Sequence, residues 1–170
     1  MTDLTSHLAA LLARDLAALR REIEAYPDDA LPWREVPGLT NAGGTLALHV
    51  AGNLQHYVGH VLGGSGYVRD RPAEFARRGV PRAELVAELE RARAAVLSTL
   101  ERLTPAALLA PFPEPLARHQ FRTDDLLLHL ASHLAYHLGQ LDYHRRAVTG
   151  SPSTIGAMAL PELATALPAE

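Results

Sequence analysis

Three histidines in the C-terminal part of the chain stand four residues apart: His129, His133 and His137. They lie in the stretch LLLHLASHLAYHLGQL, residues 126–141, which contains no Asp, Glu, Lys or Arg. A helix places residues i and i+4 on one face, with about 5–6 Å between their Cβ atoms. Two imidazoles at this spacing could bind one metal ion, so the pattern predicts a metal site on a helix.

A second charge-free segment with histidines, LALHVAGNLQHYVGH, lies upstream at residues 46–60. On an α-helix its polar residues His49, Asn53, His56 and His60 would share one face. On the later helix, His144 would continue the row formed by His129, His133 and His137. Each unpaired polar group buried there would cost about 1–3 kcal/mol. The rings therefore either hydrogen-bond to one another and to water, or bind a metal between two packed helices.

The metal interpretation needs three neutral imidazoles, which leave at least one coordination position for water or substrate. Nitrogen ligands suit Zn, Ni, Fe or Cu and argue against Mg and Ca. We expect a divalent transition metal, with Zn first and Ni or Fe as alternatives. The sequence has no Glu-x-x-His, HExxH or GxSxG pattern. This argues against a ferritin-type di-iron site, a zincin protease and a serine hydrolase.

Composition narrows the class of protein further. The chain of 170 residues is most simply one domain, and its net charge of -3 gives no electrostatic reason to expect nucleic acid or an anionic membrane as partner. Cysteine is absent and all 16 basic residues are Arg, which excludes a cysteine nucleophile and a lysine Schiff base. No signal peptide or membrane span is evident, so we expect a cytoplasmic protein. No residue is assigned to the binding of an organic cofactor.

Apolar residues recur at helical spacing in four long segments, and no segment alternates as a strand does. The predicted helices run from about Leu8 to Tyr26, from Asn41 or Gly44 to Leu62, from Pro81 to Leu103, and from an N-cap at Thr123 to about Val148. A short helical turn is expected at 104–109, and the long crossover at 67–80 has room for another. These segments predict an all-α fold, a four-helix bundle with a long crossover connection, over residues 1–150. Residues 151–170 would form a tail or a short docking helix.

The histidine segments resemble a known family. HLASHLAYHLGQLDYHRR (129–146) is similar to the C-terminal signature of the DinB/YfiT-like metalloprotein superfamily, in which two histidines separated by three residues precede Gly-Gln. LALHVAGNLQHYV (46–58) resembles the second helix of that superfamily. The GNL and AYHLGQ sequences within them look like an uncharacterised, DUF1572-like branch.

The resemblance implies that the metal ligands are His49, His133 and His137. It leaves His129 as an alternative ligand, a group that orients a ligand, or a pocket residue, and it assigns no catalytic residue. The superfamily includes enzymes that use low-molecular-weight thiols, which implies a small-molecule substrate and a thiol S-transferase, or a related hydrolase or isomerase. A non-catalytic metal-binding stress-response bundle and a metal-free bundle are the alternatives. A homodimer is expected.

Overall fold

The structure is a computed structural model, and it describes residues 4–169 of the chain. Within these residues the regular structure is helical, with two isolated β-bridges and no strand. The α-helices are α1 (Leu4–Glu24), α2 (Gly43–Leu54), α3 (Arg71–Ala76), α4 (Arg82–Arg102), α5 (Pro105–Leu109) and α6 (Thr123–Thr149). A π-helix, Gln55–Leu62, directly continues α2, and 3-10 turns span Leu31–Trp33 and Leu160–Glu162. The all-α prediction is confirmed.

The core lies between the longest helices, because α1 packs on α4 and α6, and α2 packs on the same two. The apolar residues that recur at three- and four-residue spacing are the ones that are buried. Each fully buried leucine contributes about 1.5–3 kcal/mol. On α1 and α4 this buried stripe includes Leu8, Leu12, Leu16, Leu19, Ile23, Leu85, Leu89, Ala92, Val96 and Leu100. Pro81 immediately precedes α4 and does not occupy its first position as predicted.

All twelve residues of α2 are buried, which explains why the segment carries no charge. Its first turn lies against the loop that precedes it: a Cβ added to Gly44 would lie 2.7 Å from the Trp33 ring. The Trp33 Nε1 donates a hydrogen bond to the carbonyl oxygen of Val80 at 3.0 Å. Trp33 therefore anchors the loop to the start of α2 and to the segment before α4.

The backbone after Leu54 changes from α-helical to π-helical hydrogen bonding, in which the turn is widened to i→i+5. This segment packs closely on α4. A Cβ added to Gly63 would lie 2.1 Å from Thr99 Oγ1, and one added to Gly59 would lie 2.9 Å from Ala95 Cβ. The helical segment ends at Leu62, as the Gly-Gly-Ser-Gly sequence predicts.

The crossover between the π-helix and α4 contains the short helix α3, so the predicted turn of helix is confirmed. Asp70 caps it, since its Oδ1 accepts a hydrogen bond from the amide of Ala73 at 3.0 Å, and Pro72 lies in the first turn. The helix packs on α2. Glu74 approaches so closely that a Cβ on Gly52 would lie 2.2 Å from Glu74 Oε1.

The start of α6 differs from the prediction, because Thr123 is its first residue and not its N-cap. Both the amide and the Oγ1 of Thr123 donate to the carbonyl oxygen of Ala110, at 3.0 and 3.1 Å. The hydroxyl is therefore engaged with the α5 connection and caps nothing. The helix ends at Thr149 because Gly150 adopts the left-handed conformation, with φ of 68°.

The segment after α6 follows the surface of the helices with little regular structure. Arg21 Nε donates to the carbonyl oxygen of Ile155 at 3.1 Å, and Arg145 Nη2 donates to that of Ser153 at 2.8 Å. The division into a body and a tail stays a prediction. No helix within residues 4–169 is long and apolar enough to cross a membrane.

Candidate metal centre

Three imidazoles from two helices converge at one point. His49 comes from α2, and His133 and His137 come from successive turns of α6. Each offers a ring nitrogen, and these nitrogens all lie within 4.8 Å of one another. The ring centroids are 4.4 to 5.3 Å apart. His49 is buried, and the other two rings are half-buried. The group could hold a metal ion.

The pair on α6 has the geometry that its four-residue spacing predicts. The Nε2 atoms of His133 and His137 lie 3.1 Å apart. His137 Nδ1 lies 2.7 Å from Gln140 Oε1, an oxygen that only accepts, so the proton is on Nδ1. This tautomer leaves the lone pair of His137 Nε2 facing the centre. The amide of Gln140 therefore orients one ring of the group.

His49 is held by a carboxylate from α3. Its Nδ1 donates to Glu74 Oε2 at 3.0 Å, which leaves Nε2 free. Arg69 donates to both oxygens of the same carboxylate, from Nε at 2.7 Å and from Nη2 at 2.9 Å. Burial alone would raise the pKa of Glu74, but the hydrogen bonds from His49 and Arg69 outweigh it and hold that pKa below its usual range. A carboxylate on the far nitrogen of a histidine is typical of metal centres, where it fixes the ring and its tautomer.

The surroundings of His133 and His137 favour the neutral form of each ring. Burial, followed by the neighbouring rings of His137 and His49, lowers the pKa of His133 to about 4. Burial also lowers the pKa of His137, although the hydrogen bond with Gln140 opposes this. Metal binding requires the unprotonated ring, so these environments favour a ligand over a cation.

A cavity of about 230 Å³ opens beside the centre, between α2, α6 and the 69–71 segment. His49 and His133 form part of its wall, and Asn53 and Tyr57 extend it along the α2 side. Asn53 is buried, and its Oδ1 has no hydrogen-bond partner among residues 4–169. The centre is therefore reached from a cavity that can admit a small molecule.

The other histidines discussed in the sequence analysis lie outside the three-histidine group. His129 lines the same cavity, with its ring centroid 6.1 Å from that of His133, and is thus a pocket residue. His56 and His60 lie in the π-helix that follows Leu54, and neither belongs to the three-histidine group. Their rings stack on each other at 5.9 Å, and His56 Nε2 lies 3.4 Å from Glu114 Oε2.

His144 lies in a separate buried cluster with Tyr26 and Arg34 and does not take part in the three-histidine group. Its Nε2 donates to the carbonyl oxygen of Arg34 at 2.8 Å, so its Nδ1 accepts from the hydroxyl of Tyr26 at 2.7 Å. Tyr136 is 65% exposed and packs its ring 5.4 Å from that of His137.

Sequence reasoning missed the residues that α3 and the segment just before it contribute. Glu74 and Arg69 fix His49, and the Phe75 ring packs 5.0 Å from the His49 ring. The Asp-Arg-Pro sequence at 70–72 signals the start of a helix in the crossover. Nothing in the local sequence shows that this helix folds back onto α2.

The donor set fits a divalent transition metal. It consists of nitrogen atoms alone, of the type that Zn, Ni and Fe accept. Two of the three rings have their other nitrogen occupied by Glu74 or Gln140, so their free nitrogens face the centre. Fold and site together thus define an all-α protein with a three-histidine group that could hold a metal ion.

A family model of the DinB superfamily matches residues 11–141, and the chain belongs to this superfamily. No curated protein matches the chain.

Proposed function

We propose that this chain binds a divalent transition metal through His49, His133 and His137, and that it uses this centre to transfer a low-molecular-weight thiol. The observation that carries the proposal is the convergence of three imidazole nitrogens beside a cavity that admits a small molecule. Zinc is the proposed ion, with nickel or iron as alternatives, since all three accept imidazole nitrogen.

The residues around the centre have definable tasks in this proposal. Glu74 and Gln140 keep the Nδ1 protons of His49 and His137, so both rings present Nε2. Leu126 and Leu130 line the cavity and exclude water from its apolar side. A divalent ion held by the three rings would lower the pKa of a thiol or water that binds to it, and so supply a nucleophile at neutral pH.

The reaction proposed is a substitution. The thiol sulfur forms a bond to an electrophilic carbon of the second substrate, and the leaving group departs with the thiol proton. The chain has no cysteine, so the thiol is a separate molecule.

The cavity favours a thiol over water as the nucleophile. No Asp or Glu stands among the residues that line it, so the walls offer no carboxylate to remove a proton from water. A thiol loses its proton more readily than water, because its pKa is about 8.5 and that of water is about 15.7. The related hydrolase is therefore less well supported than the transferase, and the isomerase stays an alternative. The homodimer and the cytoplasmic location stay predictions.

The test is metal analysis of untagged protein, followed by replacement with Co(II) and titration with cysteine, bacillithiol and mycothiol. We expect one ion per chain, its loss in His133→Ala, and a thiolate-to-cobalt absorption band with at least one thiol. Bound metal without any thiol-induced band would favour a non-catalytic metal-binding protein. Absence of stoichiometric metal would overturn the proposal.

A further inference from the structure

The cavity beside the three-histidine group carries positive charge. Arg69 and Arg71 both line it, and none of its other lining residues, which include Tyr57, Leu116 and His129, is acidic. From α6 the cavity is lined by Leu126 and Leu130 together with His129 and His133. A cavity with cationic groups at one side and apolar walls attracts anions and disfavours cations.

The two arginines are not equivalent. The guanidinium of Arg69 is bound through two nitrogens by Glu74, which balances its charge. Arg71 makes no ion pair or hydrogen bond with any part of the chain that the structure describes, and its guanidinium carbon lies 5.0 Å from the centroid of the Phe75 ring. The same ring packs 5.0 Å from the His49 ring. The exposed guanidinium of Arg71 is therefore an unpaired cation on the cavity wall, beside the ring that also packs on His49.

We propose that this cavity selects a small molecule with a carboxylate, which Arg71 binds while the thiol of the same molecule reaches the three histidines. The proposal rests on the proposed function, since it names the chemical class of its thiol. A planar guanidinium matches a carboxylate with two parallel hydrogen bonds. Leu116, Leu126 and Leu130 provide apolar walls for a short aliphatic chain between the two ends.

The size of the cavity limits this ligand. Its volume of about 230 Å³ lies below the 300–1,000 Å³ typical of pockets for drug-sized ligands. The preferred ligand is thus a short mercapto-carboxylic acid or a similarly small carboxylate-bearing thiol.

The experiment compares mercaptopropionate with mercaptopropanol, which has the same chain length but no charge. Both are titrated into the Co(II)-loaded full-length protein, and the cobalt absorption gives the dissociation constants. We expect mercaptopropionate to bind about tenfold tighter, a preference worth about 1.4 kcal/mol, and added salt to reduce it.

Arg71→Gln should remove this preference and leave the affinity for mercaptopropanol unchanged. Arg102→Gln is the matched control, because Arg102 is exposed at the end of α4 and does not line the cavity. It should keep the wild-type preference. Equal affinity for both thiols in the wild type, or a preference that survives in Arg71→Gln, would overturn the carboxylate proposal and leave the thiol function standing.

If neither thiol changes the cobalt spectrum, the proposed thiol function is wrong. The carboxylate site is then decided by calorimetric titration with succinate, which needs no thiol. Binding that is at least tenfold weaker in Arg71→Gln would support the anion site, and absence of binding to the wild type would overturn it.

Discussion

Gly52→Ala tests whether Glu74 controls the affinity of the centre for metal. Gly52 lies on the buried face of α2, one turn after His49. A Cβ at this position would lie 2.2 Å from Glu74 Oε1 and 2.8 Å from its Cδ. Ordinary contact begins near 3.4 Å, so the carboxylate must retreat by about 1 Å. The hydrogen bond from His49 Nδ1, now 3.0 Å, would then be lost.

The magnitude follows from what such partners contribute at metal centres. Loss of a group that orients a ligand lowers metal affinity by about 10- to 100-fold, or about 1.4–2.7 kcal/mol. Helix propensity acts in the other direction, because alanine is favoured over glycine in a helix by up to about 1 kcal/mol. A loss of affinity in Gly52→Ala therefore reports the displaced carboxylate and not a weakened helix.

The assay is competition for Zn(II) between the protein and a chromophoric chelator. Gly139→Ala is the matched control, because Gly139 is also helical, yet nothing lies within 4 Å of the added Cβ. We expect Gly139→Ala to bind as the wild type does and Glu74→Gln to lose affinity as Gly52→Ala does. Wild-type affinity in Gly52→Ala would refute the claim that Glu74 orients His49.

Three further predictions concern residues outside the centre. Burial lowers the pKa of His144 below its usual value of 6.5, so the folded protein favours the neutral ring. This preference stabilises the fold above pH 6.5, and the stabilisation is lost as the pH falls below that value. Chemical denaturation of the apoprotein between pH 7 and 5 should show a smaller loss of stability in His144→Gln, and an unchanged loss would contradict this. Glu22 is fully buried against Arg145, so Arg145→Ala should lower the free energy of unfolding by about 3–5 kcal/mol, measured by denaturant titration. A loss below 1 kcal/mol would count against a buried ion pair. His56→Gln combined with His60→Gln should keep the wild-type metal content, measured by elemental analysis, whereas a lower content would place these rings at the centre.

The sequence predicts the parts of the centre that depend on helical periodicity. His133 and His137 face one point because four residues make about one turn, and this holds wherever α6 packs. His49 lies on a segment whose lack of charge matches its complete burial. The all-α fold follows from the same periodicity, which needs no knowledge of distant contacts.

The parts that the sequence does not predict depend on contacts between distant segments. The π-helix and Gly63 after it pack against Ala95 and Thr99 of α4, and the sequence pattern did not indicate the change from α- to π-helical hydrogen bonding. Glu74 meets His49 because α3 folds back onto α2 at Gly52. Neither contact leaves a local signal, so the group that orients the buried histidine is visible in the structure alone.

Crystals of the Zn(II)-loaded protein, with anomalous diffraction recorded on both sides of the zinc absorption edge, test the central claim most directly. We predict one strong peak per chain, at bonding distance from the Nε2 atoms of His49, His133 and His137. A peak bound to other residues, or fully occupied density that touches fewer than three of these rings, would contradict the account.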